Sequence, residues 1–131
     1  VALEGLRRVV TDDAGTGRWL RFPGGRDAII DVPNVAVWGK TGTAEAPPLR
    51  IDVDGDGMLG GPEDRKIRGL DHAWFVGLAG EASDEKPRYA VAVLLEYGGS
   101  GGRAAGPIAA EVIRALVEEG YLSGHEDGGS S

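Results

Sequence analysis

The sequence predicts an α+β fold in which an antiparallel sheet packs against N- and C-terminal helices. Three observations lead there. Two β-rich runs, "HAWFVGLAG" from His72 and "YAVAVLLEY" over 89–97, flank the polar turn "SDEKPR", the pattern of an antiparallel pair. The segment that follows places Ile108, Val112, Ile113, Leu116 and Val117 on one helical face. The opening residues place Leu3, Leu6, Val9 and Val10 at the same spacing. A length of 131 residues suffices for one domain with one modest core.

Taken in order, the first helix is expected over 1–11 and ends at "TDDAGTG", where Asp12, Asp13, Gly15 and Gly17 break it. Trp19 to Phe22 reads as a short strand closed by Pro23-Gly24-Gly25. Asn34 to Gly39 reads as a strand that runs into the group "VWGKTGTAEAPP". Residues 45–71 are polar, acidic and Gly/Pro-bearing, and are expected as one long loop, a length that in a compact domain usually signals function or disorder. The hairpin pair follows. Pro107 suits a first helical position and Gly120 the position just past the end, so the last helix lies between them, its apolar stripe on the sheet. The domain is expected over 1–122, with a disordered tail over 123–131.

Composition narrows the function. A formal net charge of −7 argues against an extended nucleic-acid interface, which needs a basic face. No apolar run approaches the ~20 residues of a membrane helix, and no signal peptide is visible. The absence of cysteine excludes thiol catalysis and Cys-type zinc sites. The chain opens at Val1 inside a helical pattern, so it is expected to be a piece of a longer chain, and the missing export signal then says nothing of location.

The group at 40–43 carries the chemistry. On extended backbone Lys40 and Gly42 share one face, Thr41 and Thr43 the other. Gly42 lets a substrate backbone approach. Lys40 supplies a positive field, two hydroxyls can hold a carboxylate, and the Thr43 N–H can aim at a developing oxyanion. This is one wall of an acyl-transfer site. A bare Lys-Thr-Gly is common by chance; its position at a strand end, before a long insertion and a strand–strand–helix run, gives it more weight than the tripeptide alone.

Four blocks, "LEGLRRVVTDDAGTG", "GKTGTAE", "DHAWFVGLAG" and "YAVAVLLEYGGSGGRAAGPIAAEVI", resemble in order the C-terminal part of the transpeptidase domain of class B penicillin-binding proteins. The resemblance implies the penicillin-binding protein/β-lactamase-like fold and a fragment of a serine peptidoglycan D,D-transpeptidase that binds penicillin. That family's site uses S-x-x-K, S-x-N and K-[ST]-G. Only the third is matched: Lys40 would be its lysine, Thr41 and Thr43 its carboxylate-binding hydroxyls, and the Thr43 N–H half of an oxyanion hole. The serine nucleophile is expected upstream, so this chain alone is expected to be inactive. The resemblance further implies stem peptides and β-lactams as partners, and no cofactor for the chemistry. It also implies a membrane-anchored parent at the extracytoplasmic face of the bacterial inner membrane, in the periplasm, partnered with a glycosyltransferase. A D,D-carboxypeptidase or β-lactam sensor of the same fold is the alternative within the family. A non-catalytic calcium-dependent binding module is the alternative outside it.

Ser83-Asp84-Glu85-Lys86 fits S-x-x-K formally, but the serine must start a helix for its lysine to lie one turn on, and here Pro87 follows. Asp84 and Glu85 would also keep the lysine charged when a base must be neutral. The segment reads as a solvated hairpin turn. The insertion "DVDGDGMLGGPE" (52–63) resembles an EF-hand calcium loop. Asp52, Asp54 and Asp56 stand at positions 1, 3 and 5, Gly57 at 6, the Met58 carbonyl at 7 and Glu63 at 12. Helices are missing on both sides, and Asp64 stands where an apolar residue is common, so weak affinity is expected. His72 is expected to anchor the loop before its strand. Trp38, Trp74 and Phe75 are expected in the core or the cleft lining, and Arg103 near the cleft.

Overall fold

The computed structural model describes residues 2–84 and 86–123. Its order is α1 (Ala2–Thr11), β1 (Trp19–Phe22), β2 (Gly25–Ala28), β3 (Val35–Ala44), β4 (Leu49–Ile51), β5 (Arg65–Ile67), β6 (His72–Glu81), β7 (Tyr89–Leu95), a π-helical turn (Gly101–Ala105) and α2 (Gly106–Glu118). The central sheet has the order β3-β6-β7, antiparallel throughout, as the hairpin pattern predicts. Two small hairpins, β1-β2 and β4-β5, stand beside it.

β6 shows why the sheet forms. Its residues alternate, with Ala73, Phe75, Gly77 and Ala79 buried and Trp74 and Val76 exposed, the period of two that a sheet with one covered face demands. Phe75 is fully buried at the centre of the core. Its ring lies against glycines on two strands: a Cβ at Gly39 would come within 2.7 Å of it, and one at Gly77 within 3.2 Å. Val10 of α1, Ile29, Ile30, Ala105, Ala109 and Ile113 join the same cluster.

Beyond β2 and the π-helical turn, which are absent from the expected elements, further features differ from expectation. The segment 45–71 is not one loop, because β4 and β5 pair within it, Leu49 opposite Ile67 and Ile51 opposite Arg65. Of the expected stripe on α2, Ile113, Leu116 and Val117 pack on the core, but its most buried residues include Gly106, Ala109 and Ala110, whereas Ile108 and Val112 are 42% and 41% exposed. Small side chains permit a closer approach of helix to sheet than the apolar stripe would, and Phe75 fills the gap between them. Trp38 and Phe75 are buried in the core, and Trp74 lies on the uncovered face of the sheet, opposite Gly42. Of the tail, only Ser123 lies within the described residues; its N–H and hydroxyl both bond the Glu81 carboxylate, at 2.8 and 2.6 Å.

Around the break "TDDAGTG" the chain is tied down rather than loose. The N–H groups of Asp12 and Gly17 return to the carbonyls of Arg8 and Val9 at the end of α1. Asp13 accepts from Trp19 Nε1 at 3.0 Å and pairs with Arg26 at 3.1 Å, which fixes the β1-β2 hairpin to this turn. The Arg26 and Trp19 hydrogen bonds hold the exposed Asp13 carboxyl below its ordinary range.

Candidate active site

The ten residues of β3 divide at Lys40. Ala36 to Gly39 are buried, whereas Lys40 and Thr43 are exposed and Thr41 and Gly42 half-buried. Before the break, α1 packs on the strand: a Cβ at Gly39 would meet Val10 at 2.7 Å, and Arg7 lies over the Trp38 ring at 5.8 Å. After it, the strand continues in register with β6, Lys40 opposite Val76, Thr41 opposite Phe75, Gly42 opposite Trp74 and Thr43 opposite Ala73. Lys40 and Gly42 thus share the uncovered face and Thr41 and Thr43 the other, as the alternation predicts. Among the described residues β3 pairs with β6 alone, so its second edge is open along 40–44.

Side-chain contacts set the detail. Lys40 Nζ donates to the carbonyl of Thr41 at 2.7 Å, so the ammonium lies along its own strand. The Thr41 hydroxyl lies 2.8 Å from that of Thr16 in the turn after α1, a contact across 25 positions that no local pattern announces. Gly42 is backed by the π-helical turn: a Cβ at Gly101 would fall 2.4 Å from the Gly42 oxygen and 2.9 Å from its nitrogen. The glycine pair 101–102 therefore lets one backbone lie directly on the other.

His72 ties down the turn after β7 rather than the loop before its own strand. Its Nδ1 accepts from the Tyr97 N–H at 3.0 Å, so it anchors the turn after β7, and its ring meets the Tyr97 ring edge-on. Arg103 is exposed on the π-helical turn, beside a shallow depression lined by Leu20, Gly98, Gly99 and Ser100. Ser83 and Lys86 lie in the β6–β7 turn and are exposed. There the Asp84 N–H bonds the Glu81 carbonyl at 2.9 Å, and Arg88 pairs with Asp84 at 2.7 Å.

The acidic segment forms the loop of the β4-β5 hairpin. Asp52 accepts from the N–H groups of Gly55 and Gly57, at 2.7 and 2.8 Å. Gly57 has φ +80°, the left-handed turn for which a glycine is needed. The Gly57 N–H, more than any other group, holds the Asp52 carboxyl below its ordinary 3.8. This capping is complete above pH 3.8 and is lost as the pH falls through the lowered folded value. Carboxylate oxygens of Asp52, Asp54 and Asp64 lie within 4.8 Å of one another. Asp56 and Glu63 are not part of that group: Asp56 accepts from the Met58 N–H, and Glu63 is exposed. Asp64 joins the group because the turn after Pro62 returns its carboxylate to the N–H groups of Gly60 and Gly61.

The elements together define an α+β domain whose sheet ends, among the described residues, in the half-open edge strand β3. A model of the penicillin-binding protein transpeptidase domain matches residues 2–116, and the chain belongs to that family of transpeptidases. Comparison with curated proteins and with solved structures gave no match.

Proposed function

We propose that this chain forms the substrate-binding wall of a serine-type peptidoglycan D,D-transpeptidase that β-lactams acylate, its nucleophile standing on a segment outside the chain. The observation that carries this reading is the change at Lys40, where a buried strand becomes an open edge. An extended stem peptide can lie along such an edge and bond to main-chain groups. Lys40 then provides the positive field, the Thr41 and Thr43 hydroxyls take the terminal carboxylate, Gly42 leaves room for substrate backbone, and the Thr43 N–H supplies half of an oxyanion hole. The parent protein is anchored at the extracytoplasmic face of the inner membrane and works beside a glycosyltransferase. Ser83 has no helix to carry Lys86 one turn on, so it is not a nucleophile. The test is intact-mass analysis after incubation with benzylpenicillin. The complete protein is expected to gain one penicilloyl group and this chain alone none. An adduct at Ser83 overturns the reading.

We also propose that the β4-β5 loop takes one calcium ion through Asp52, Asp54 and Asp64, with the Met58 carbonyl available to complete the ring. Oxygens that bind one calcium ion at about 2.4 Å stand no more than about 4.8 Å apart, and those of this group fall within that limit; magnesium needs a tighter and stricter octahedron. With no flanking helices the affinity belongs in the range of extracellular modules, on the order of 10⁻⁴ M. Calorimetric titration of the complete protein is expected to give one weak site that Asp64→Asn weakens and Glu63→Gln leaves nearly unchanged. Loss through Glu63→Gln alone would restore the twelve-residue ligand set of Asp52, Asp54, Asp56 and Glu63. No heat at millimolar calcium makes the segment an acidic hairpin loop only.

A further inference from the structure

We propose that Thr16 is a positioning residue for the Thr41 hydroxyl; the proposal rests on the carboxylate-binding role given to Thr41 above. Three chain segments meet here: the turn after α1, the middle of β3, and the π-helical turn. The two hydroxyl oxygens are 2.8 Å apart. Gly102 makes the meeting possible, since a Cβ there would fall 2.5 Å from the Thr16 carbonyl oxygen and 3.4 Å from Thr41 Cγ2.

Thr16 is held on both sides. The Gly15 N–H bonds the Asp12 carbonyl at 2.8 Å, the Gly17 N–H bonds the Val9 carbonyl at 3.0 Å, and the Arg18 N–H bonds the Gly15 carbonyl at 3.1 Å. Gly15 itself lies so close to α1 that a Cβ would come 2.3 Å from the Val9 oxygen. The turn therefore sets the Thr16 hydroxyl against β3 with little freedom to move away.

Each threonine hydroxyl has one proton to give and two lone pairs to accept with. If Thr41 gives its proton to Thr16, it has none left for an anion. When a carboxylate reaches Thr41, the favourable arrangement is a relay: Thr16 donates to Thr41, and Thr41 donates to the carboxylate. Each bond in such a chain polarises the next. Thr16 also removes rotamers of Thr41 that point elsewhere, so less freedom is lost when ligand binds. An isosteric side chain without a hydroxyl loses both effects and keeps the packing.

The test uses the complete protein and two probes, benzylpenicillin and its methyl ester, which lacks the carboxylate charge. Thr16→Val is expected to raise the benzylpenicillin concentration for half-maximal acylation about tenfold, the weight of one hydrogen bond that serves a charged group. The limiting acylation rate is expected to stay within about twofold, and Thr16→Ser to restore wild-type behaviour. With the methyl ester, wild type and Thr16→Val are expected to match. Adding Thr16→Val to Thr41→Val is expected to cost nothing further, since the two act as a unit. If Thr16→Val does not fold, Thr16→Ala, which removes volume and adds none, is compared with Thr16→Ser in the same way. Equal losses for acid and ester, or additive losses in the double variant, overturn the proposal and make Thr16 merely structural. A loss from Thr41→Val with none from Thr16→Val overturns it while leaving the reading of Thr41 intact. No loss from Thr41→Val overturns that reading, and the proposal with it.

Discussion

Replacing Lys40 by alanine is expected to slow β-lactam acylation of the complete protein on the order of 100- to 1000-fold, with almost no change in stability. The two halves of that expectation have separate causes. Lys40 is exposed on β3 beyond the point where α1 packs, and exposed side chains away from caps and cores move stability by about 0.5 kcal/mol or less. Its ammonium, by contrast, is the one positive charge within the 40–43 group, bonded to the Thr41 carbonyl at 2.7 Å. Removing one charge- or oxyanion-stabilising group from an acyl-transfer site costs on the order of 3 kcal/mol in the transition state, which corresponds to the rate loss given. Lys86→Ala serves as the comparison: it removes the same charge from the β6–β7 turn and is expected to leave acylation unchanged. Time-resolved mass spectrometry with a fluorescent penicillin gives both rates, and thermal melting gives stability. Equal acylation of wild type and Lys40→Ala would sink the assignment of this strand to the site.

Part of this arrangement is legible in the sequence, and the reasons differ from element to element. β6 is legible because it is a continuous run of apolar residues and glycine bounded by polar segments, although from Ala73 to Gly77 only alternate residues are buried. The break after α1 and the β1-β2 turn are legible from glycine, aspartate and proline, whose backbone preferences act locally. β4 and β5 are not, since three-residue strands containing Arg50, Arg65 and Lys66 have the composition of a solvated loop and become strands only by pairing with each other. The packing face of α2 is legible in part: periodicity finds Ile113, Leu116 and Val117, which pack on the core, but favours large side chains and so misses Gly106, Ala109 and Ala110.

The site divides in the same way. The strand alternation of 40–43 follows from sequence spacing, and so does the turn at Gly57, whereas the bonds from Gly55 and Gly57 to the Asp52 carboxylate emerge only in the structure. The convergence on Asp64 rather than Glu63 depends on how the chain turns after Pro62, which one residue of register decides. Thr16 carries a weak local signal, a hydroxyl between two glycines in "AGTG". Nothing in that signal names Thr41 as its neighbour, because the contact exists only once α1, β3 and the π-helical turn have packed. The same holds for the run "GGSGG": its glycines look like a flexible linker, yet Gly101 and Gly102 are buried against two strands.

That burial leads to the second large effect, expected for Gly101→Ala. A Cβ at Gly101 would fall 2.3 Å from the Trp74 oxygen, 2.4 Å from the Gly42 oxygen and 2.9 Å from the Gly42 nitrogen. All three are backbone atoms of paired strands, so no flexible side chain can swing aside to make room. The methyl must push the π-helical turn off the sheet or push β3 away from β6 at Gly42. Overpacking of this kind costs about 1–3 kcal/mol, enough to lower the melting temperature by several degrees. The activity loss is expected to exceed what stability explains, because the displaced strand is the one that carries Lys40, Thr41 and the Thr43 N–H. A misplacement of about 1 Å in a reacting constellation can cost on the order of 100-fold in rate. Gly5→Ala is the control: its Cβ meets nothing within 4 Å on the solvent side of α1, and it is expected to be neutral or slightly stabilising. Acylation rates and melting curves of the complete protein, measured below the melting temperature of the weaker variant, separate the two contributions. If Gly101→Ala melts and acylates like wild type, the close approach of these backbones is not what holds the strand in place. If it melts lower but acylates at the wild-type rate, the π-helical turn supports the fold alone, and the position of Gly42 is set from the β6 side.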